Sequence, residues 1–158
     1  MGHKNSFEVG DLFLIDAGDG YALIHVLAIG KWGPLCELFN ELFVSPSDLN
    51  NFEVVRGQRK AIAFINPYTL ERQAIYLGKG LQPQNDGSLP PYFSGYPDVF
   101  WEIHYWDGRV EKISGKSTTY DELLARGYVD STLFSLKQLQ ELYKYGKPLK
   151  FSLHSKHK

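Results

Sequence analysis

The chain is short of the residues that most reactive sites need. It has one cysteine, Cys36, and one methionine in 158 residues. A single thiol excludes an intramolecular disulfide, a Cys-x-x-Cys redox pair and a thiolate zinc cluster. Cys36 lies in an apolar context, Leu35 to Phe39, where a thiol packs as a small hydrophobe. No apolar run approaches the roughly 20 residues a membrane-spanning helix needs. Nothing at the amino terminus joins a charged start to an apolar core and a cleavage site, so a cytosolic location is expected. The five histidines, His3, His25, His104, His154 and His157, show no paired spacing outside the tail, and no metal or other cofactor is expected. There is no G-x-S-x-G elbow. Gly18 and Gly20 lead into a strand pattern and no Lys-Ser or Lys-Thr follows, which excludes a phosphate loop. No period repeats and no low-complexity block occurs.

What is present is aromatic and β-rich. Aromatics make up 15% of the chain, a content that favours sheets, where flat rings pack on pleated surfaces. The longest apolar stretch, Glu8 to Ile29, reads as a β-hairpin, with strands over Leu12–Ala17 and Tyr21–Ile29 and a turn at Gly18, Asp19 and Gly20. Both faces of these strands are apolar, which places them inside a sheet. Asp16, Asp19 and Gly20 superficially resemble a calcium loop, but the late bidentate Glu is missing and turn formation explains them.

Further strands are expected at Leu35–Phe39, Ala61–Ile65 and Gln73–Leu77, the last two joined by turn chemistry at Asn66, Pro67 and Tyr68. Ser45 and Pro46 resemble a short helix start. Gly78 to Asp98 holds four prolines and reads as a long loop anchored by Leu89, Tyr92, Phe93 and Tyr96. A second hairpin, Val99–Trp106 and Arg109–Ile113, turns at Asp107-Gly108, with Val99, Trp101, Ile103 and Tyr105 on its core face. Helices are expected over Tyr120–Arg126 and Leu136–Tyr145, each opened by a capping-box pattern, Thr119 with Glu122 and Ser135 with Gln138. LKFSL offers a last edge strand, and His154 to Lys158 a disordered basic tail. The expected architecture is α+β: a strongly bent, mainly antiparallel sheet or partly open barrel with two helices near the carboxyl terminus. One domain spans residues 1–153, with 154–158 as tail.

Charge is uneven. Residues 1 to 55 carry eight acids and two lysines, a net of −6, whereas residues 56 to 158 carry ten acids and fifteen Lys or Arg, a net of +5. The first half therefore offers acidic groups to a basic partner, or solvates two faces differently. The acid/base candidates reduce to Glu102 and His104, two apart on one strand face. His25, between Ile24 and Val26, reads as a structural histidine. The Tyr143–Lys147 segment is too short for a nucleic-acid platform, so no direct nucleic-acid binding is expected.

Val9, Gly10 and Asp11, the apolar strand, then Gly18, Asp19, Gly20 and Tyr21 and a second apolar strand resemble the start of the immunity protein 26 family of bacterial polymorphic toxin and contact-dependent inhibition systems. The Leu89-Pro90-Pro91-Tyr92-Phe93 segment, the aromatic hairpin and the stretch from Tyr120 through Leu123, Gly127 and Ser135 are compatible with it. The resemblance implies a small cytoplasmic, non-enzymatic protein that binds a cognate toxin domain, a nuclease or another lethal enzyme, and covers its active site. Against a basic nuclease groove, acids are the expected complement. The candidate partner-binding residues are then Asp16, Asp19, Glu37, Glu41 and Asp48, with Tyr21 and Trp32 as aromatic anchors. Two alternatives stay open: a small β-rich module binding a peptide or nucleic acid through Tyr92, Phe93 and Tyr96, and an enzyme using Glu102 and His104.

Overall fold

A computed structural model describes residues 6–45, 59–80 and 89–146. Within the stretch that reads as one domain, these residues form two compact units: the described parts of Met1–Pro83 with Leu133–Lys150, and those of Gln84–Thr132. The fold is α+β, with two mostly antiparallel sheets and helices near the carboxyl terminus.

In the first unit, β1 (Asp11–Asp16), β2 (Tyr21–Ile29), β3 (Pro34–Phe43), β4 (Arg59–Phe64) and β5 (Ile75–Lys79) form a five-stranded sheet of order β4-β3-β2-β1-β5. The first hairpin forms as expected. Gly18, at φ +98°, makes the reversal, and Ala17 N–H donates to Gly20 O across it at 2.7 Å. β1 and β2 are central, so both their faces are buried: Leu12, Leu14 and Leu23 pack with Phe39 and Leu77 on one side, and Phe13, Ile15 and Ile24 are fully buried as well. Register shifts at Leu12/Phe13, Ala22/Ile24, Val26/Ala28 and Leu38/Phe39 mark bulges, which bend a sheet. The bend does not close it; neither sheet is a barrel, and β4 and β5 remain opposite edges.

Gln73 and Ala74, expected at the start of a strand, belong to a short π-helical segment, Thr69–Gln73, and its end, so β5 begins at Ile75. α2 (Leu136–Tyr145) opens on a full capping box between Ser135 and Gln138 and ends at Gly146, φ +83°. Tyr143 donates to Phe39 O at 2.7 Å and Gln140 Nε2 to Asp16 O at 2.9 Å, which ties this helix to the sheet. The helix start at Ser45-Pro46, the strand LKFSL and the tail lie outside the described residues.

In the second unit, β6 (Tyr92–Tyr96), β7 (Phe100–His104), β8 (Val110–Ser114) and β9 (Val129–Asp130) form a sheet of order β8-β7-β6-β9, with β9 parallel to β6. β6 falls in the stretch expected to be loop, and β9 was not expected at all. Phe93, Trp101 and Ile103 form a core with Tyr120 and Leu123 of α1 (Tyr120–Ala125). Its polar atoms are satisfied: Trp101 Nε1 donates to Thr118 O at 2.9 Å, and the Tyr120 hydroxyl to the buried Asp130 carboxylate at 2.7 Å. Val99, expected on the core face, is instead exposed beside a turn in which Asp98 takes φ +67°. No helix among the described residues is long and apolar enough to cross a membrane.

Candidate functional site

The hairpin tip is the first place where candidate residues converge. Asp16 ends β1, opposite Tyr21 in register, and Tyr21 in turn faces Phe43 at the end of β3. Glu41, two residues before Phe43, therefore belongs to the same end of the sheet. Asp16, Asp19 and Glu41 are all exposed. The tip is stiff: Asp16 Oδ1 accepts from Gly18 N–H at 2.9 Å, and the Asp16 carbonyl is held by Gln140 of α2. Tyr21 is half-buried against the Leu12, Leu14 and Leu23 cluster, so its ring is largely committed to the core.

The remaining candidates do not join this group. Glu37 is a correction to the surface reading: it is 8% exposed in β3, and its Oε1 lies 2.8 Å from Nδ1 of His25, itself 2% exposed. β3 is an inner strand, so a side chain at this position faces packed neighbours, and the two groups form a buried hydrogen-bonded pair. The same contact gives His25 its structural role. Cys36 beside it is fully buried, and burial first, then the Glu37 carboxylate, push its thiol far above the ordinary value, leaving it an inert thiol. Trp32, 39% exposed with Lys31 Nζ 5.2 Å from its ring centroid, sits in the β2–β3 turn. That turn is at the far end of β2 from Tyr21, roughly 25 Å away at about 3.3 Å per residue. Asp48 lies outside the described residues.

Two further acids of the amino-terminal half are structural. Asp11 is fully buried; its carboxylate accepts from Glu8 N–H at 2.8 Å and from the Tyr76 hydroxyl at 3.4 Å, and Lys79 Nζ lies 3.2 Å away. Lys79 also reaches Glu8 Oε2 at 2.8 Å and the Val9 carbonyl at 3.1 Å. Its amine is held above the ordinary value by the Glu8 carboxylate first. Gly10, at φ +94°, turns the chain into β1. The Val-Gly-Asp triplet is thus a clamp joining the chain before β1 to β5. The unequal charge of the two sequence halves consequently overstates the acidic surface, because Asp11 and Glu37 are interior and Glu8 is paired.

In the second unit, Glu102 and His104 do meet, with Glu102 Oε1 3.4 Å from His104 Nε2. The imidazole is buried and stacks almost parallel on Tyr92, centroids 5.1 Å apart and planes 8° off. Trp106 lies tilted against Tyr92 and donates from Nε1 to Pro90 O at 2.8 Å. Tyr92 was the residue that sequence reasoning did not connect to this pair, since it lay in a segment read as loop. The peptide-binding reading loses two of its three aromatics: Tyr92 and Phe93 are buried strand residues, and Tyr96 alone of the three is exposed. Among the described residues no group of three or more His, Cys, Asp or Glu converges on one point.

No protein-family model, no curated protein and no solved structure matches the chain.

Proposed function

We propose that the protein is an immunity protein that binds a cognate toxin domain stoichiometrically and covers its active site, the hairpin tip being the contacting surface. The observation that carries this reading is the display of Asp16, Asp19 and Glu41 at one end of a rigid sheet, anchored from behind by α2. Pre-placed carboxylates complement a cationic groove such as that of a nuclease, and stiffness lowers the ordering cost of binding. The resemblance of the Val9–Ile29 stretch to immunity protein 26 supports the same assignment. The partner would be a protein, encoded beside this chain, and the complex would form in the cytoplasm.

Co-expression tests it. The product of the adjacent reading frame is expected to be toxic alone, to be neutralised by this chain, and to co-purify with it one to one. A harmless neighbour, or a toxic one that neither binds nor is neutralised, overturns the proposal.

A further inference from the structure

We propose that Asp19 is a self-modification site, converted with Gly20 into an isoaspartyl linkage while the chain stays folded, and that the fold protects the other Asp-Gly pair, Asp107-Gly108. The step needs no reagent but water. The Gly20 nitrogen attacks Asp19 Cγ, a C–N bond forms, and the Cγ–O bond breaks as the hydroxyl leaves with the amide proton as water. A second water then opens the cyclic imide. Attack at Cγ restores aspartate; attack at the main-chain carbonyl leaves the chain running through Cγ, one methylene longer, with the α-carboxyl free. Asp-Gly suits this closure because glycine has no Cβ to obstruct the approach to its nitrogen. The modification itself needs no partner, and only its effect on binding rests on the proposed role of the tip.

Both pairs sit in hairpin turns, and they differ in what holds the reacting atoms. Asp19 is exposed, and among the described residues neither its carboxylate nor the Gly20 N–H makes a hydrogen bond. The ties of the tip stop on either side of them: Asp16 Oδ1 accepts from Gly18 N–H at 2.9 Å, and Gly20 O accepts from Ala17 N–H at 2.7 Å. Gly18, at φ +98°, has open space where a Cβ would lie, so the chain before Asp19 can rotate during closure. Asp107-Gly108 is locked at both reacting atoms. Asp107 Oδ1 accepts from Arg109 N–H at 3.0 Å and Oδ2 from Arg109 Nε at 2.8 Å, while the Gly108 nitrogen donates to Tyr105 O at 3.1 Å. The Arg109 backbone N–H first, then its guanidinium, also hold the Asp107 carboxyl below its ordinary value, which depletes the neutral acid from which water leaves.

The full chain, aged at neutral pH both folded and in denaturant, is digested and mapped by mass spectrometry with electron-transfer fragmentation, which separates isoaspartate from aspartate at equal mass. In the folded chain isoaspartate should accumulate at Asp19 several-fold faster than at Asp107, and in denaturant the two sites should age at similar rates. Asp19→Glu, a change at an exposed side chain, should abolish the product at the tip, since the longer side chain closes a larger, slower ring. Arg109→Ala should bring Asp107 toward the rate of Asp19. The aged chain should also lose the Ala17–Gly20 hydrogen bond, seen as faster amide exchange at Ala17. A folded chain in which Asp19 stays intact, or ages no faster than Asp107, overturns the proposal whatever the tip binds.

Discussion

Single residues show which polar groups are structure and which are display. The His25–Glu37 contact is buried at both ends, and removing one partner of such a pair costs far more than the pair contributes, because the other is left in the interior. Glu37→Ala should lower stability by roughly 3 kcal/mol in denaturant unfolding, whereas Glu37→Gln, which keeps an acceptor near His25, should cost less than half of that. Equal losses would mean that the site depends on charge and not on the hydrogen bond. Tyr105 gives a pH signature. Its hydroxyl donates to Glu111 Oε1 at 2.8 Å, and that carboxylate first, with partial burial and Tyr128, pushes the phenol up to about 12. A phenol with a raised pKa in the folded state contributes stability that is complete below its ordinary value near 10 and is lost as the pH rises through 10 to 12. Phenolate absorbance should therefore show Tyr105 ionising late, alongside Tyr143, whose phenol burial also raises, and Glu111→Gln should bring Tyr105 alone back toward the ordinary value.

At the scale of elements, β6 is the instructive case. Its sequence, Tyr-Phe-Ser-Gly-Tyr, lies in a Pro- and Gly-rich stretch, and Gly95 reads as a breaker. In the sheet Gly95 is there because nothing larger fits: a Cβ would lie 2.4 Å from Phe100 O and 2.9 Å from Trp101 Cα, and its φ is +148°. Gly95→Ala should cost roughly 3 kcal/mol and loosen the β6–β7 pairing, seen as faster amide exchange across Tyr92–His104. A change below about 1 kcal/mol would show that the backbone adjusts freely. Where local chemistry and tertiary context agree, the sequence is readable. The first hairpin, the Asp107-Gly108 turn and both helix starts follow from turn residues and caps that act within a few positions. β6, β9 and the π-helical segment depend on distant partners, so no local pattern marks them. The candidate site follows the same rule: Glu102 and His104 are paired by strand alternation alone, whereas the burial of Glu37 required knowing that β3 is an inner strand.

For the whole molecule, the charge that matters to a partner is the part left outside. Of the acids in the first 55 residues, Asp11 and Glu37 are interior and the exposed Glu8 is engaged by Lys79; Asp16, Asp19 and Glu41 are the other exposed acids among the described residues of that half. All three belong to one end of the five-stranded sheet, so their field adds in one direction instead of cancelling around the surface. Steering of this kind acts on the encounter, and its range is the Debye length, roughly 30 Å at 0.01 M salt and about 8 Å at 0.15 M. The association rate with a basic partner should therefore fall by about tenfold or more between those conditions, while the dissociation rate changes little. Asp16→Lys/Asp19→Lys/Glu41→Lys should flatten the salt dependence and slow association at low salt, leaving the melting temperature nearly unchanged because all three side chains are exposed. Trp32→Ala, at the opposite end of the same sheet, should leave that salt dependence intact. If the triple variant associates as fast as the parent at low salt and still protects, the tip is not the contacting surface, and the partner must be sought elsewhere on the molecule.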